Sequence, residues 1–169
     1  MSEQCTANAN SGDRCRLRTL HLAASTGNCD SKPICWIHLR KNHQIRVMNS
    51  TIRGAGKGLF LEKHVPANAL IGQYTGKREA VNAPNTPYTM ALDRWHKVNA
   101  SDPLKSSVMR YINHKGHSTA NAKIVGGAAL QNSAGQVACR AIRTKSAING
   151  SKARPVELFV SYGNNNRFH

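Results

Sequence analysis

The sequence predicts a mainly β protein, and three observations carry that expectation. Short apolar segments rich in Val, Ile, Leu and Phe recur along the chain with turn residues between them. No long stretch shows the 3.6-residue apolar period of an amphipathic helix, and there is no heptad pattern or internal repeat. Aromatics make up only 5% of the 169 residues, so the core must be built from Ile, Val, Leu and Ala.

Residues 1–43 read as a separate unit, polar, rich in cysteine and punctuated by Gly12, Gly27 and Pro33. From Ile45 the texture changes, and 44–169 reads as a second domain. Its candidate strands are 44–49, 57–61, 69–75, 88–92, 121–125, 135–140 and 157–161. Ser106 to Tyr111 reads as a helical turn leading into Asn113. Polar connections at 82–87 and 147–155, with Pro84, Pro87, Gly150 and Pro155, separate some of these elements.

The formal net charge is +16. A charge of that size favours an anionic partner such as DNA or a nucleosome, although it implies attraction and not sequence recognition. No apolar run approaches the roughly 20 residues that span a bilayer, so no membrane partner is expected. Met1 to Cys5 shows no basic region leading into an apolar one, so an intracellular protein is expected. Acidic residues are scarce, and no carboxylate pair is placed for glycosidase or protease chemistry.

Four of the five cysteines, Cys5, Cys15, Cys29 and Cys35, lie in the first quarter of the chain, and the fifth is Cys139. The odd count favours a metal site over a disulfide framework. Cys5, Cys15, Cys35 and His38 form a Cys-x9-Cys…Cys-x2-His set, whose thiolates and imidazole suit tetrahedral Zn2+. Cys29, His21 and His43 are spare ligands. Four protein ligands close the shell, so the zinc would be structural and would staple a segment with little apolar content.

Three further segments stand in order. Gly54-Ala55-Gly56-Lys57-Gly58-Leu59-Phe60 is glycine-rich. It lacks the following helix of a dinucleotide fingerprint and the Gly-Lys-Ser/Thr ending of a P-loop. Arg110-Tyr111-Ile112-Asn113-His114 carries an Asn-His pair after an apolar run. Val156-Glu157-Leu158-Phe159-Val160-Ser161-Tyr162-Gly163 ends a strand in Tyr-Gly.

In this order the segments resemble the signature of SET-domain protein lysine methyltransferases. The resemblance runs from about residue 45 to 163 and includes Leu70-Ile71-Gly72-Gln73-Tyr74-Thr75-Gly76 and Asn121-Ala122. It implies a SET-type fold of short sheets in which the C-terminal segment threads, knot-like, under a loop near Asn113, a rare exception to ordinary topology. It also implies S-adenosylmethionine as cofactor, held by Ala55, Gly56, Lys57, Gly58, Asn113 and His114. Tyr162 would orient a substrate lysine and Tyr74 would line its channel.

The chain departs from the family's pattern in places. The usual Asn-His-Ser-Cys is Asn113-His114-Lys115-Gly116, which puts a lysine beside the cofactor pocket. Ser161 replaces an Asp, and no cysteine cluster follows Tyr162, leaving Phe168 as the candidate aromatic lid. The resemblance implies methyl transfer to a protein lysine, with a histone tail as expected substrate, nuclear or chromatin association, and pairing as a homodimer. The rival reading is a catalytically weak or dead SET fold, zinc-containing and basic, that binds nucleic acid or chromatin.

Overall fold

The computed structural model describes residues 21–24, 31–103, 105–132 and 135–162. Strands β1 (His21–Ala24) and β2 (Ser31–Ile34) pair antiparallel. A short helix α1 (Trp36–His38) then runs into a π-helical turn (Leu39–His43). The turn stops at Gln44, whose left-handed φ of 53° redirects the chain into β3 (Ile45–Asn49). Leu39 and Cys35 are buried in the same core as the strands that follow.

Three sheets make up the remainder. β3, β4 (Lys57–Leu61) and β13 (Val156–Glu157) form one, in the order β13-β4-β3. β5 (His64–Val65) pairs with β12 (Ile148–Asn149). The largest sheet has seven strands in the order β7-β8-β6-β11-β10-β14-β9. These are β6 (Leu70–Ala80), β7 (Thr89–Ala91), β8 (His96–Asn99), β9 (Asn113–His114), β10 (Ala122–Asn132), β11 (Gly135–Thr144) and β14 (Phe159–Val160). No helix among the described residues is long and apolar enough to cross a membrane.

The last strand is positioned by topology. β14 runs parallel to β9 on one side and to β10 on the other. Segment 115–121 carries the chain from β9 to β10, so it must cross the strand lying between them. The Asn121 side chain fixes the crossing: its amide donates to Glu157 O at 2.7 Å, and its carbonyl accepts from Phe159 N at 2.8 Å. This is the threading expected near Asn113.

The core lies where the sheets meet. Leu39, Leu59, Leu61, Val98, Ile112, Ile142, Leu158 and Val160 are almost fully buried. Cutting any such Leu or Ile to Ala costs roughly 2–5 kcal/mol. β4 is buried at four of its five positions, which explains why its sequence reads as an apolar run and not as an alternation.

Two buried charges are compensated in place, as desolvation requires. Lys97, 3% exposed, directs its ammonium at Ala83 O, Pro84 O (3.2 Å) and Asn85 Oδ1 (2.9 Å), pinning the 82–87 connection to β8. Glu62 accepts from Arg40 Nε at 2.6 Å and lies 3.6 Å from Arg46, tying the π turn to β4.

Every strand expected from 44 onward forms. β6, β10 and β11 run several residues further than their apolar cores suggest. The expected strand at 157–161 is split into β13 and β14 at Leu158, where the chain changes sheets. The turn expected at 106–111 is a 3-10 helix (Val108–Tyr111), capped by the Ser107 hydroxyl accepting from Met109 N.

Candidate active site

The glycine-rich segment forms the hairpin connection between β3 and β4, closed by the Asn49–Lys57 pairing. Ser50 N donates to Gly56 O at 2.8 Å and Ala55 N to Ile52 O at 3.1 Å. Gly54 (φ +82°) and Gly56 (φ +71°) take left-handed conformations that a side chain would disfavour. A Cβ on either would meet no atom within 4 Å, so the loop presents open, accessible backbone.

Glu157 is the hub beneath this loop. Its carboxylate accepts from Ser50 Oγ (2.6 Å), Thr51 N (2.7 Å), Thr51 Oγ1 (2.5 Å) and Asn113 Nδ2 (3.2 Å). Burial alone would raise the carboxyl pKa, but the donors from Ser50, Thr51 and Asn113 outweigh it and hold the group below its ordinary value. Gly58 packs directly against this carboxylate, and a Cβ there would collide with it. Asn113 also donates to Lys57 O at 3.0 Å. Lys57, Gly58 and Asn113, distant in sequence, therefore meet around one buried anion.

His114 and Tyr162 form the adjoining wall. Their rings stack with centroids 5.3 Å apart at 14°, and Tyr162 N donates to His114 Nδ1 at 3.1 Å. The Tyr162 hydroxyl donates to Ile112 O at 2.9 Å, and burial pushes its pKa up to about 12. Tyr74 is 2% exposed and donates to Tyr88 O at 2.7 Å. Burial foremost, and then the nearby Tyr162, push its pKa well above the ordinary value. The buried Arg110 guanidinium lies 4.0 Å from the Tyr88 ring centre and donates to Ala100 O and Ser101 O, both at 2.8 Å.

Lys115 does not point its charge into this cluster. Its ammonium rests 4.1 Å from the Phe159 ring centre, a cation–π contact on the threaded strand. Lys57 is exposed and its ammonium donates to Asn49 Oδ1 at 2.8 Å. Ala55 sits in the open loop without a side-chain role.

Of the zinc set, Cys35 and His38 are brought together, with Sγ and Nδ1 3.2 Å apart in a buried setting. Cys5 and Cys15 lie outside the described residues, as do Phe168 and Gly163. Among the described residues no group of three or more His, Cys, Asp or Glu side chains is placed to hold a metal. Cys35 stands outside any disulfide, whereas Cys139 is disulfide-bonded. A bridge is thus present where the cysteine count favoured a metal site over a disulfide framework.

The residues that sequence reasoning passed over are Glu157, Arg110 and Asn121. Each stands inside or beside a quoted motif. Glu157 and Asn121 act on segments far away in sequence, and Arg110 on carbonyls nine and ten residues back. A charged or amide side chain next to an apolar run was the available signal. A separate cavity of about 260 Å³ is lined by His43, one of the spare zinc ligands, by Lys63 and His64 and by apolar residues from β3 to β6, and includes none of the residues expected to hold the cofactor or the substrate lysine.

No family model and no curated protein sequence matches the chain. Solved structures do. A structure described as KRYPTONITE in complex with mCHG DNA and SAH aligns with a TM-score of 0.55 and 18% identity over 74% of this chain. KRYPTONITE in complex with mCHH DNA, H3(1-15) peptide and SAH gives 0.54, 18% and 74%. The Chaetomium thermophilum polycomb repressive complex 2 gives 0.53, 18% and 72%. The chain spans 25%, 24% and 15% of those chains. The architecture shared with them is the SET-type fold.

Proposed function

We propose that this protein is an S-adenosylmethionine-dependent protein-lysine N-methyltransferase. The observation that carries the reading is the Tyr162 hydroxyl, fixed to Ile112 O at the end of a threaded strand whose Glu157 also anchors Asn113 and the open hairpin. The likeness to structures that hold SAH supports the cofactor, and the one that holds an H3 peptide supports a histone tail as substrate. The same likeness supports chromatin association and a nuclear setting.

The residues present fit the cofactor. Gly54 and Gly56 leave the loop surface unobstructed for close approach. With Asn113 Nδ2 and His114 Nδ1 committed within the protein, Asn113 Oδ1, His114 Nε2 and the Ala55 carbonyl are the polar atoms that would meet an adenosine and an amino-acid end. When bound, S-adenosylmethionine supplies an electrophilic methyl group on a sulfonium. The chain then has to orient an amine and exclude water.

Tyr162 performs the orienting step. Its proton is committed to Ile112 O, so its lone pairs face outward as acceptors for a lysine N–H. A phenol with a pKa of about 12 stays protonated at neutral pH, so Tyr162 is an acceptor and not a base. Tyr74 is likewise held neutral. The substrate lysine must therefore lose its proton to solvent before transfer. Desolvation in the channel favours that loss, because burial disfavours a charged ammonium.

The test is transfer of labelled methyl groups to core histones. The wild type is expected to label a lysine, and Tyr162→Phe to lose at least a hundredfold in rate. Absence of labelling by wild type, with S-adenosylmethionine leaving the melting temperature unchanged, would refute the enzyme. The second reading, a basic nucleic-acid binder with a weak or dead site, is favoured by where the charge lies. Twenty of the 24 Lys and Arg but only five of the eight acids fall within the described residues. Lys115 no longer argues for it, because its ammonium is parked on Phe159. Zinc at Cys5, Cys15, Cys35 and His38, and pairing as a homodimer, complete the proposal. Metal analysis and sedimentation test them directly.

A further inference from the structure

The described carboxylates are all engaged internally. Glu62 is taken by Arg40 and Arg46, Glu79 by Lys77 and Asn99, and Asp93 by His96 and two backbone amides. Asp102 lies 3.9 Å from Lys105, and Glu157 is buried beneath the hairpin. Cations outside these pairs are in one place forced together. Lys123 on β10 stands directly opposite Arg143 on β11 in the antiparallel register. Directly opposed side chains share a sheet face, and like charges there repel.

The same face continues past the strand ends. Lys145 follows Arg143 by two residues, and its backbone amide donates to Asn121 O, so it extends the row. Its ammonium donates to His117 O at 2.5 Å, and Arg143 Nη1 donates to Asn68 O at 2.9 Å. Lys123 and His117 are exposed. Among the described residues, none of Lys123, Arg143 and Lys145 is in an ion pair. Carbonyl oxygens satisfy one hydrogen bond each on Arg143 and Lys145 but leave the net charge uncompensated.

From this we infer that the Lys123–Arg143–Lys145 row, with His117 at its end, is a docking surface for the phosphate backbone of duplex DNA. Like charges held side by side on paired strands repel in the folded protein, and a polyanion would neutralise them. The row contains no aromatic side chain for stacking on bases, which favours a duplex backbone over a single strand. The surface stands whether or not the neighbouring site transfers methyl groups. It would let a basic protein approach basic tails that are themselves held on DNA.

The experiment is fluorescence anisotropy with a labelled 20-base-pair mixed-sequence duplex over a series of salt concentrations. Wild type is expected to bind, with log K falling linearly against log salt. The Lys123→Gln/Lys145→Gln variant should reduce that slope by about 2, since each phosphate contact contributes about 0.9. It should melt no lower than wild type, because repulsion is relieved. Lys77→Gln/Lys105→Gln, which removes cations already paired with acids, serves as the control and should change the slope little. Should the double variant fail to fold, Lys123→Gln alone must lower the slope by about 1, its side chain being exposed. Failure of wild type to bind at 50 mM salt, or equal slopes for the Lys123/Lys145 and Lys77/Lys105 variants, would overturn the inference. Equal competition by polyglutamate at matched charge would assign the face to an acidic protein and overturn it too.

Discussion

Replacing Glu157 by Gln perturbs the point where three segments converge. The carboxylate accepts four hydrogen bonds, from Ser50 Oγ, Thr51 N, Thr51 Oγ1 and Asn113 Nδ2. A glutamine can keep the two Thr51 bonds on its carbonyl oxygen. Its NH2 group then faces Ser50, which can turn its hydroxyl to accept, and Asn113 Nδ2, which cannot. One charge-assisted bond is lost, and two donors are opposed in a buried place. Hydrogen bonds to charged groups contribute about 1.5–3 kcal/mol each, and an unsatisfied buried donor costs about 1–3 kcal/mol. The expected loss is therefore about 2.5–6 kcal/mol. For a chain of this size that lowers the melting temperature by roughly 5–24 °C.

The assay is thermal unfolding by circular dichroism at pH 7 and again down to pH 3. The folded carboxyl titrates below its unfolded value, so its contribution is present above the unfolded pKa and is lost as pH falls through the folded one. Wild type should lose stability across that acid window, and the difference between it and Glu157→Gln should narrow there. A variant melting within 1 °C of wild type at pH 7, or a difference that does not narrow in acid, would refute the claim that this carboxylate anchors the hairpin.

Other expectations follow from the same geometry. Tyr162→Phe removes one hydrogen bond to Ile112 O and should cost only about 1 kcal/mol in denaturant unfolding, while abolishing the proposed methyl transfer. With its folded pKa raised from 10.0 to about 12, Tyr162 adds no pH dependence below pH 10. Between about pH 10 and 12 stability should then fall by up to about 1.4 kcal/mol per pH unit, and ultraviolet titration of the folded protein should show tyrosine ionising late. Gly58→Ala drives a methyl group into the pinned Glu157 carboxylate. It should destabilise the protein by roughly 1–3 kcal/mol, and more than Ala at exposed Gly116, which meets only Thr119 Oγ1 at 3.7 Å.

Much of the scaffold was legible because buried strands leave a strong signal. Leu59-Phe60-Leu61 and Leu158-Phe159-Val160 are apolar runs that only a covered strand explains. The ordered Gly-rich, Asn-His and Tyr-Gly segments gave the site's outline through a resemblance, and Lys57, Gly58 and Asn113 do converge. The short strands β5, β8, β9 and β12 were not legible. His64–Val65 and Asn113–His114 carry no periodicity of their own and are strands only because tertiary pairing makes them so. The role of Glu157 was hidden for a related reason. Its partners Ser50 and Thr51 lie more than a hundred residues away, and no local pattern encodes such a distance. Where Lys115 places its charge was hidden too, because sequence shows which charge adjoins a pocket but not which ring will hold it.

The threading explains why these distant contacts cluster at a single place. β14 lies between β9 and β10, so Asn113, Asn121 and the hairpin reach their partners only when the chain end lies beneath segment 115–121. Glu157 and Tyr162 sit on that end, one on each side of the crossing. The anion that anchors the hairpin and the phenol proposed to orient the substrate are therefore supplied by the same threaded segment. A chain that formed β3 to β11 without it would keep a large part of its sheet, but its hairpin would lack an anchor and its Asn-His pair a stacking partner. Coupling the completion of the site to insertion of the last strand lets a fold of short sheets hold precise geometry. The positions of Asn113 and His114 are then fixed by long-range bonds to Glu157, Phe159 and Tyr162, and not by the few residues on either side of them.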